Sequence, residues 1–193
     1  ANGFALSVNE GHAQSLDRIR RFQPKMFIHF ETDEFIVKTA ERQPEFMQVL
    51  QLRHDVFIRE WQGRELPSGL DLEPYDFVGD HILIINKSLD MVVGTYRVLC
   101  SEYCDRFYSQ DEFYMNMFLM RPGTKLELGR ACIHPDFRDG STIDLLWKGL
   151  ARYIEATRSQ YLFGCTSIKT TELDKIESLL GDLRSQENWS DDY

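Results

Sequence analysis

Between Lys125 and Ile168 the spacing of apolar residues changes period twice. Leu126, Leu128, Ala131 and Ile133 interleave with Glu127, Gly129, Arg130 and Cys132, which predicts a strand over Lys125–His134 ended by Pro135. Ile143, Leu146, Trp147, Leu150, Ala151 and Ile154 then recur at helical spacing behind Ser141, which stands three residues before Asp144 as in a capping box. The apolar run from Tyr161 to Ile168 predicts a returning inner strand. Upstream, the same reading gives a strand over Glu34–Thr39, with a companion at Met26–Phe30 as an option, and a helix over Pro44–Glu60. Strands follow over His81–Asn86 and Met91–Cys100, joined by a tight turn at Ser88–Asp90. An irregular, partly helical stretch precedes Lys125, and a helix over Glu172–Arg184 follows Ile168. Antiparallel strands feeding a strand–helix–strand unit give an α/β (α+β layered) fold, a mixed and largely antiparallel sheet flanked by helices. Closing strands beyond Ile168 are not evident.

A chain of 193 residues with 42% hydrophobic residues fills one sizeable core. The organisation expected is an N-terminal extension over 1–32, one domain over 33–185 and a polar acidic tail over 186–193. No apolar run approaches the ~20 residues of a membrane span, and the first residues lack the order of a secretory signal, so a cytoplasmic protein is expected. Cys132 and Cys165 fall on predicted strands, and Cys100 and Cys104 have no partner pair at zinc-ligand spacing, so reduced thiols and no metal are expected. A formal charge of −9 argues against a nucleic-acid partner. Against this balance, Arg18, Arg20, Arg21 and Lys25 surround Leu16, Ile19 and Phe22 in a short basic amphipathic segment. It either packs on its own domain, docks an acidic carrier protein, or makes peripheral contact with an anionic inner membrane.

Several polar residues stand where chemistry is expected. Arg138, Asp139 and Gly140 precede the helix that opens at Ser141, where free backbone N–H groups and a guanidinium would converge on an anion. Arg53 and Glu60 share the stripe of Phe46, Val49, Leu50 and Phe57, either as a structural ion pair with other loop charges or as part of a site. Asp71, Glu73, Asp76 and Asp80 cluster before a strand, without the spacing of a calcium loop, and His81 follows as a structural histidine or a base. Arg97, if it faces inward, needs Glu127, Asp76 or an anionic ligand. Glu127 shares a face with Gly129, whose missing side chain leaves room for a substrate.

The blocks ELGRACIHPDFR, LLWKGLARYI and YLFGCTSI, with Leu-Arg-x-x-Val-Phe-x-x-Glu at Leu52–Glu60 and GTYR at Gly94–Arg97, resemble bacterial ornithine lipid N-acyltransferases. That group has the GNAT fold and is related to N-acyl amino acid synthases and acyl-homoserine-lactone synthases. The resemblance runs from Leu52 to Ile168 and implies direct aminolysis of a fatty acyl thioester, with Glu127 as general base and His81 as its substitute. It implies a donor lying along Glu127–Ile133, with backbone groups of Ala131, Cys132 and Ile133 at the oxyanion, and Arg138, Gly140, Ser141 and Thr142 near the phosphate. Arg53, Glu60, Asp71, Glu73, Asp76, Arg97 and Arg130 would receive the amine acceptor. No permanent cofactor is implied; the co-substrate is an acyl-phosphopantetheine. Acyl carrier protein is placed ahead of coenzyme A because Ser141 and Ile143 occupy the small positions of a pyrophosphate loop. The alternatives are an acyl-homoserine-lactone-like signal synthase and a non-catalytic regulator that binds acyl carrier or lipid. The oligomeric state is not implied.

Overall fold

The computed structural model describes residues 16–168 and 170–186. Six strands form one sheet in sequence order: β1 (His29–Glu31), β2 (Phe35–Thr39), β3 (Asp80–Asn86), β4 (Met91–Cys100), β5 (Lys125–Ile133) and β6 (Tyr161–Phe163). The first four pairings are antiparallel and β5–β6 is parallel. Three longer helices accompany it: α1 (Gln43–Arg53), α2 (Ser141–Thr157) and α3 (Leu173–Ser185). None among the described residues is long and apolar enough to cross a membrane.

The central strands are apolar on both faces, so both faces are covered. Leu83, Ile85 and Val92 pack under α1 with Phe46, Val49 and Leu50, while Ile82, Ile84 and Val93 pack under α2 with Leu145, Leu146 and Leu150. α2 lies tight against the sheet at Gly149, where a Cβ would come within 2.9 Å of Val37 Cγ1. Pro44 and the Glu45 carboxylate, which accepts the N–H groups of Glu41 and Arg42, start α1.

Two expectations are revised, and the basic segment takes the first of its three readings. The predicted helix over Pro44–Glu60 is α-helical only to Arg53; His54–Glu60 is a π-helix, whose wider turn carries the Trp61 N–H back to Val56 O at 3.1 Å. The strand expected over Tyr161–Ile168 is paired only as far as Phe163; at Gly164 the backbone passes so close to Leu128 O that an added Cβ would stand 2.3 Å from it. The basic segment folds back on its own domain. Ile19 and Phe22 are in the core, the Arg18 guanidinium sits 3.8 Å over Phe77, and Lys25 Nζ donates to Phe77 O and Gly79 O. Arg18, Arg20 and the Asp17-paired Arg21 all remain exposed to water.

β5 carries a bulge. Thr95 faces Cys132 and Arg97 faces Gly129, so Arg130 and Ala131 together oppose Tyr96 alone, with Arg130 at φ 52°. Before the bulge Glu127 and Gly129 look toward α1; after it Arg130 and Cys132 do so as well.

Candidate active site

β5 and β6 pair only at Lys125–Tyr161, Leu126–Leu162 and Glu127–Phe163, while β5 continues to Ile133. Beyond Glu127 the strands part, and a cleft of about 580 Å³ opens between them. Glu127, Gly129 and Ala131 form one wall, Cys165, Thr166 and Ser167 the other, and Phe57 and Trp61 close over it from the π-helical segment. Glu127 is buried at the fork. Its carboxylate accepts the N–H groups of Tyr108 and Ser109, each at 2.7 Å, and the Ser109 hydroxyl, which in turn is 3.1 Å from Cys165 Sγ. Three donors hold it, and a carboxylate has about four acceptor positions, so one remains for the cleft.

Toward α1 lies a compact network of charge. Arg53, fully buried, donates to Asp71 at 2.9 Å and to both oxygens of Asp76 at 2.6 and 3.2 Å. Arg97 Nη1 reaches Glu73 at 2.7 Å and Asp76 at 3.1 Å, and Arg130 pairs with Glu73 through two donors. Burial works against the Asp76 charge, yet Arg53 and Arg97 outweigh it and hold its carboxyl down at about 2. Burial opposes the Glu73 charge too, and Arg130 and Arg97 depress its carboxyl nonetheless. Arg53 is raised despite its burial by Asp76 and Asp71. Arg97 Nε is buried without an acceptor, on the side of Gly129, where a Cβ would stand 3.9 Å from it. The cleft therefore presents one unsatisfied donor over a residue that has no side chain.

Residues 52–148 match the acetyltransferase (GNAT) domain family. This chain belongs to that family. Among its relatives, the L-ornithine N(alpha)-acyltransferase of Agrobacterium fabrum is 34% identical over 145 residues, covering 67% of this chain and 49% of its own. That of Rhodobacter capsulatus is 31% identical over 156 residues, covering 75% and 60%. The chain thus spans about half the length of the first relatives it matches. The AHL synthase LasI shares the fold, with a TM-score of 0.51 over 78% of each chain at 19% identity.

Against this GNAT frame the residues singled out from sequence separate into groups. Glu127, Arg97, Gly129, Arg130 and Ala131 line the cleft, with Glu73 paired to the two guanidiniums. Arg53, Asp71 and Asp76 stand behind them, buried. Glu60 does not join Arg53: it pairs with Arg138 at 2.7 and 2.6 Å, because the π-helical turn carries it out to the exposed end of β5. Arg138, expected at a phosphate, is spent on Glu60 and on Ile133 O. Helix α2 opens with Gly140 as its cap, at φ 93°, and not with Ser141. The N–H and hydroxyl of Ser141 donate to the Asp139 carboxylate, so the helix start is already supplied with an anion. Thr142 is buried and turns inward, its Cγ2 against Gly94. His81 is sealed between Phe22 and Phe46 and bonded through Nε2 to Asp76 O; burial lowers it to about 4. Burial raises the Cys132 thiol to about 12, which keeps it protonated and unreactive. Cys132 faces the α1 core, while Ile133 is half-buried on the α2 side. Ser109 and Tyr108, the anchors of Glu127, were not anticipated: they come from the irregular stretch, whose period gives no signal.

Proposed function

We propose that this chain transfers a fatty acyl group from the thioester of an acyl carrier protein to the amine of ornithine or a similar amino acid. The observation that carries the reading is the meeting, in one cleft, of a fixed carboxylate at the strand fork and a rim in which Glu73 is shared by Arg97 and Arg130. The thioester arm would lie along the edge of β5 beyond Glu127, which has no strand partner among the described residues, and add to it as an extended chain. An amino acid acceptor carries one cation and one anion, which a rim of two guanidiniums and one carboxylate can meet: its carboxylate would displace Glu73 from Arg130, and its ammonium would meet the Glu73 carboxylate so released. Arg53, Asp71 and Asp76 hold the rim in place from behind.

Glu127, directly or through one water, takes a proton from the ammonium. That first proton passes on to solvent; the neutral amine adds to the thioester carbonyl, the C–N bond forms as the C–S bond breaks, and the second proton, shed by the nitrogen as it becomes an amide, goes to the sulfur, which leaves as the thiol. Arg97 Nε and the N–H groups of Ala131–Ile133 are the donors available to the oxyanion. A carrier-bound donor is favoured over coenzyme A because Asp139 occupies the helix start and Glu60 occupies Arg138.

The test is to incubate the purified protein with long-chain acyl carrier protein and a panel of amines, ornithine among them, following free thiol and product mass. Thiol release matched by N-acyl amino acid is expected. No release above the protein-free rate with any amine overturns the reading.

A further inference from the structure

The connection from β4 to β5 holds the most exposed apolar segment of the described chain. From Phe113 to Met120 eight successive residues, FYMNMFLM, carry no charge, and Phe113, Tyr114, Met117 and Met120 are 63, 86, 71 and 81% exposed. Scattered apolar side chains on a surface need no explanation, but a contiguous set this bare does. The segment is anchored from beneath: Phe118 stacks edge-on against Tyr161 and Phe163 of β6, and Phe163 meets Phe107 in the same way. Lys125 Nζ donates to Arg121 O and Gly123 O and fixes the segment's far end. The bare side chains therefore stand on a rigid base.

The base belongs to the cleft. Tyr108 lines it, and Tyr108 and Ser109, on the same connection, hold Glu127. Tyr161 and Phe163 belong to the strand whose departure opens it. An apolar surface continuous with the place where an acyl chain is handled suits an apolar phase that could supply or receive that chain. Tyr and Phe side chains with flexible Met are what settles at the headgroup boundary of a bilayer. Asp111, paired with Arg106, and Glu112 border the segment at one end and Arg121 at the other, so it lacks the basic surface that would draw an acidic carrier protein.

We propose that the 113–120 segment is a membrane-docking surface that seats the mouth of the cleft on a phospholipid bilayer through apolar contact. The acyl chain's role in this rests on the N-acyltransferase reading, whereas the docking itself does not. It differs from the contact expected of the basic segment at Arg18–Lys25, because apolar docking persists as salt rises.

The experiment is co-sedimentation of the 193-residue protein with neutral phosphatidylcholine vesicles at low and high salt, without substrate. The Tyr114→Ser, Met117→Ser, Met120→Ser triple variant is run alongside, with its circular dichroism and thermal midpoint as a fold check. Wild type should partition at both salt concentrations, and the triple variant should lose at least about tenfold in partitioning while staying folded. Absence of wild-type partitioning, or partitioning that the triple variant retains, overturns the proposal. So does concentration-dependent self-association abolished by the same variant, which would assign the surface to a second copy, or a loss of acyl-carrier-protein binding without vesicle binding. Thiol release in detergent-free solution is measured separately. Vesicle binding through the segment without thiol release would sink the acyltransferase reading alone, and thiol release without vesicle binding would sink the docking alone.

Discussion

Beneath α2 the sheet meets Leu145, Leu146 and Leu150 with Ile82, Ile84 and Val93, and the buried polar exceptions centre on Asp80, held by Tyr153 and two backbone N–H groups. Beneath α1 the same strands present His81, Arg97 and Glu127 to a helix that contributes Arg53. One face is held by burial of apolar surface, which is non-directional and tolerant of reshaping. The other adds to its own apolar core a set of ion pairs that are fixed in direction and lose partners when one member is removed. The cleft opens beside the second, where side chains are already oriented before substrate arrives.

The sharpest way to break this contrast is to remove one charge. Asp76→Ala should lower unfolding free energy by about 3–5 kcal/mol, since it removes the carboxylate that Arg53 and Arg97 share and leaves them Asp71 and Glu73 alone. Leu150→Ala on the opposite face should cost about 2–5 kcal/mol through its cavity and yet leave KM for the amine unchanged. Denaturant titration and amine kinetics on both variants decide it; a loss under 1 kcal/mol in Asp76→Ala would mean that the α1 face is not held by charge.

The pH dependence of stability sharpens the contrast further. His81 is lowered to about 4 when folded, against an ordinary 6.5, so between those values the unfolded chain binds the extra proton. Stability is full above pH 6.5 and falls by about 3 kcal/mol as pH drops to 4. Asp76, held at about 2, adds its own loss only below about pH 4. Unfolding titrations at pH 7 and pH 4.5 should show the first limb in the wild type and a flatter one in His81→Gln. An equal slope in both would remove His81 as its source.

At the fork, Glu127→Gln should reduce turnover by roughly 10²-fold at saturating substrates. The amide also turns an N–H toward the Tyr108 N–H, so stability should fall by about 1–3 kcal/mol. Near-wild-type thiol release from folded Glu127→Gln protein would leave that carboxylate a purely structural role. The smallest effect is expected at the exposed pair: Glu60→Gln frees Arg138 and should raise kcat/KM for acyl-coenzyme A a few-fold relative to acyl carrier protein. An unchanged ratio means that Arg138 does not meet the donor.

What could be read from the chain beforehand follows the range of the forces involved. β4 came out at its full length, Met91–Cys100, because local alternation specifies a strand. Helix α1 was legible as a helix, but its π-helical continuation was not, since the apolar spacing there fits either winding. The partner of Glu60 lies 78 residues away, and no local pattern could pair the two. Arg53 was legible as a buried charge in need of partners, and its partners came from the acidic loop already marked at Asp71 and Asp76. Glu127 stood out on its strand; the hydrogen bonds that fix it come from a stretch with no period. The bulge had left a trace, a gap of three between Leu128 and Ala131 in a strand otherwise spaced by two.

That extra residue bears on which mutations a lineage can accept in β5. Most positions there can change identity and keep their orientation. Deleting Ala131 would restore regular pairing, and everything on one side of the cut would rotate by half a turn. Either Arg130 would be driven among Ile84 and Leu146, or Glu127 would leave the cleft. Length, more than letter, is what this strand must keep to hold its site.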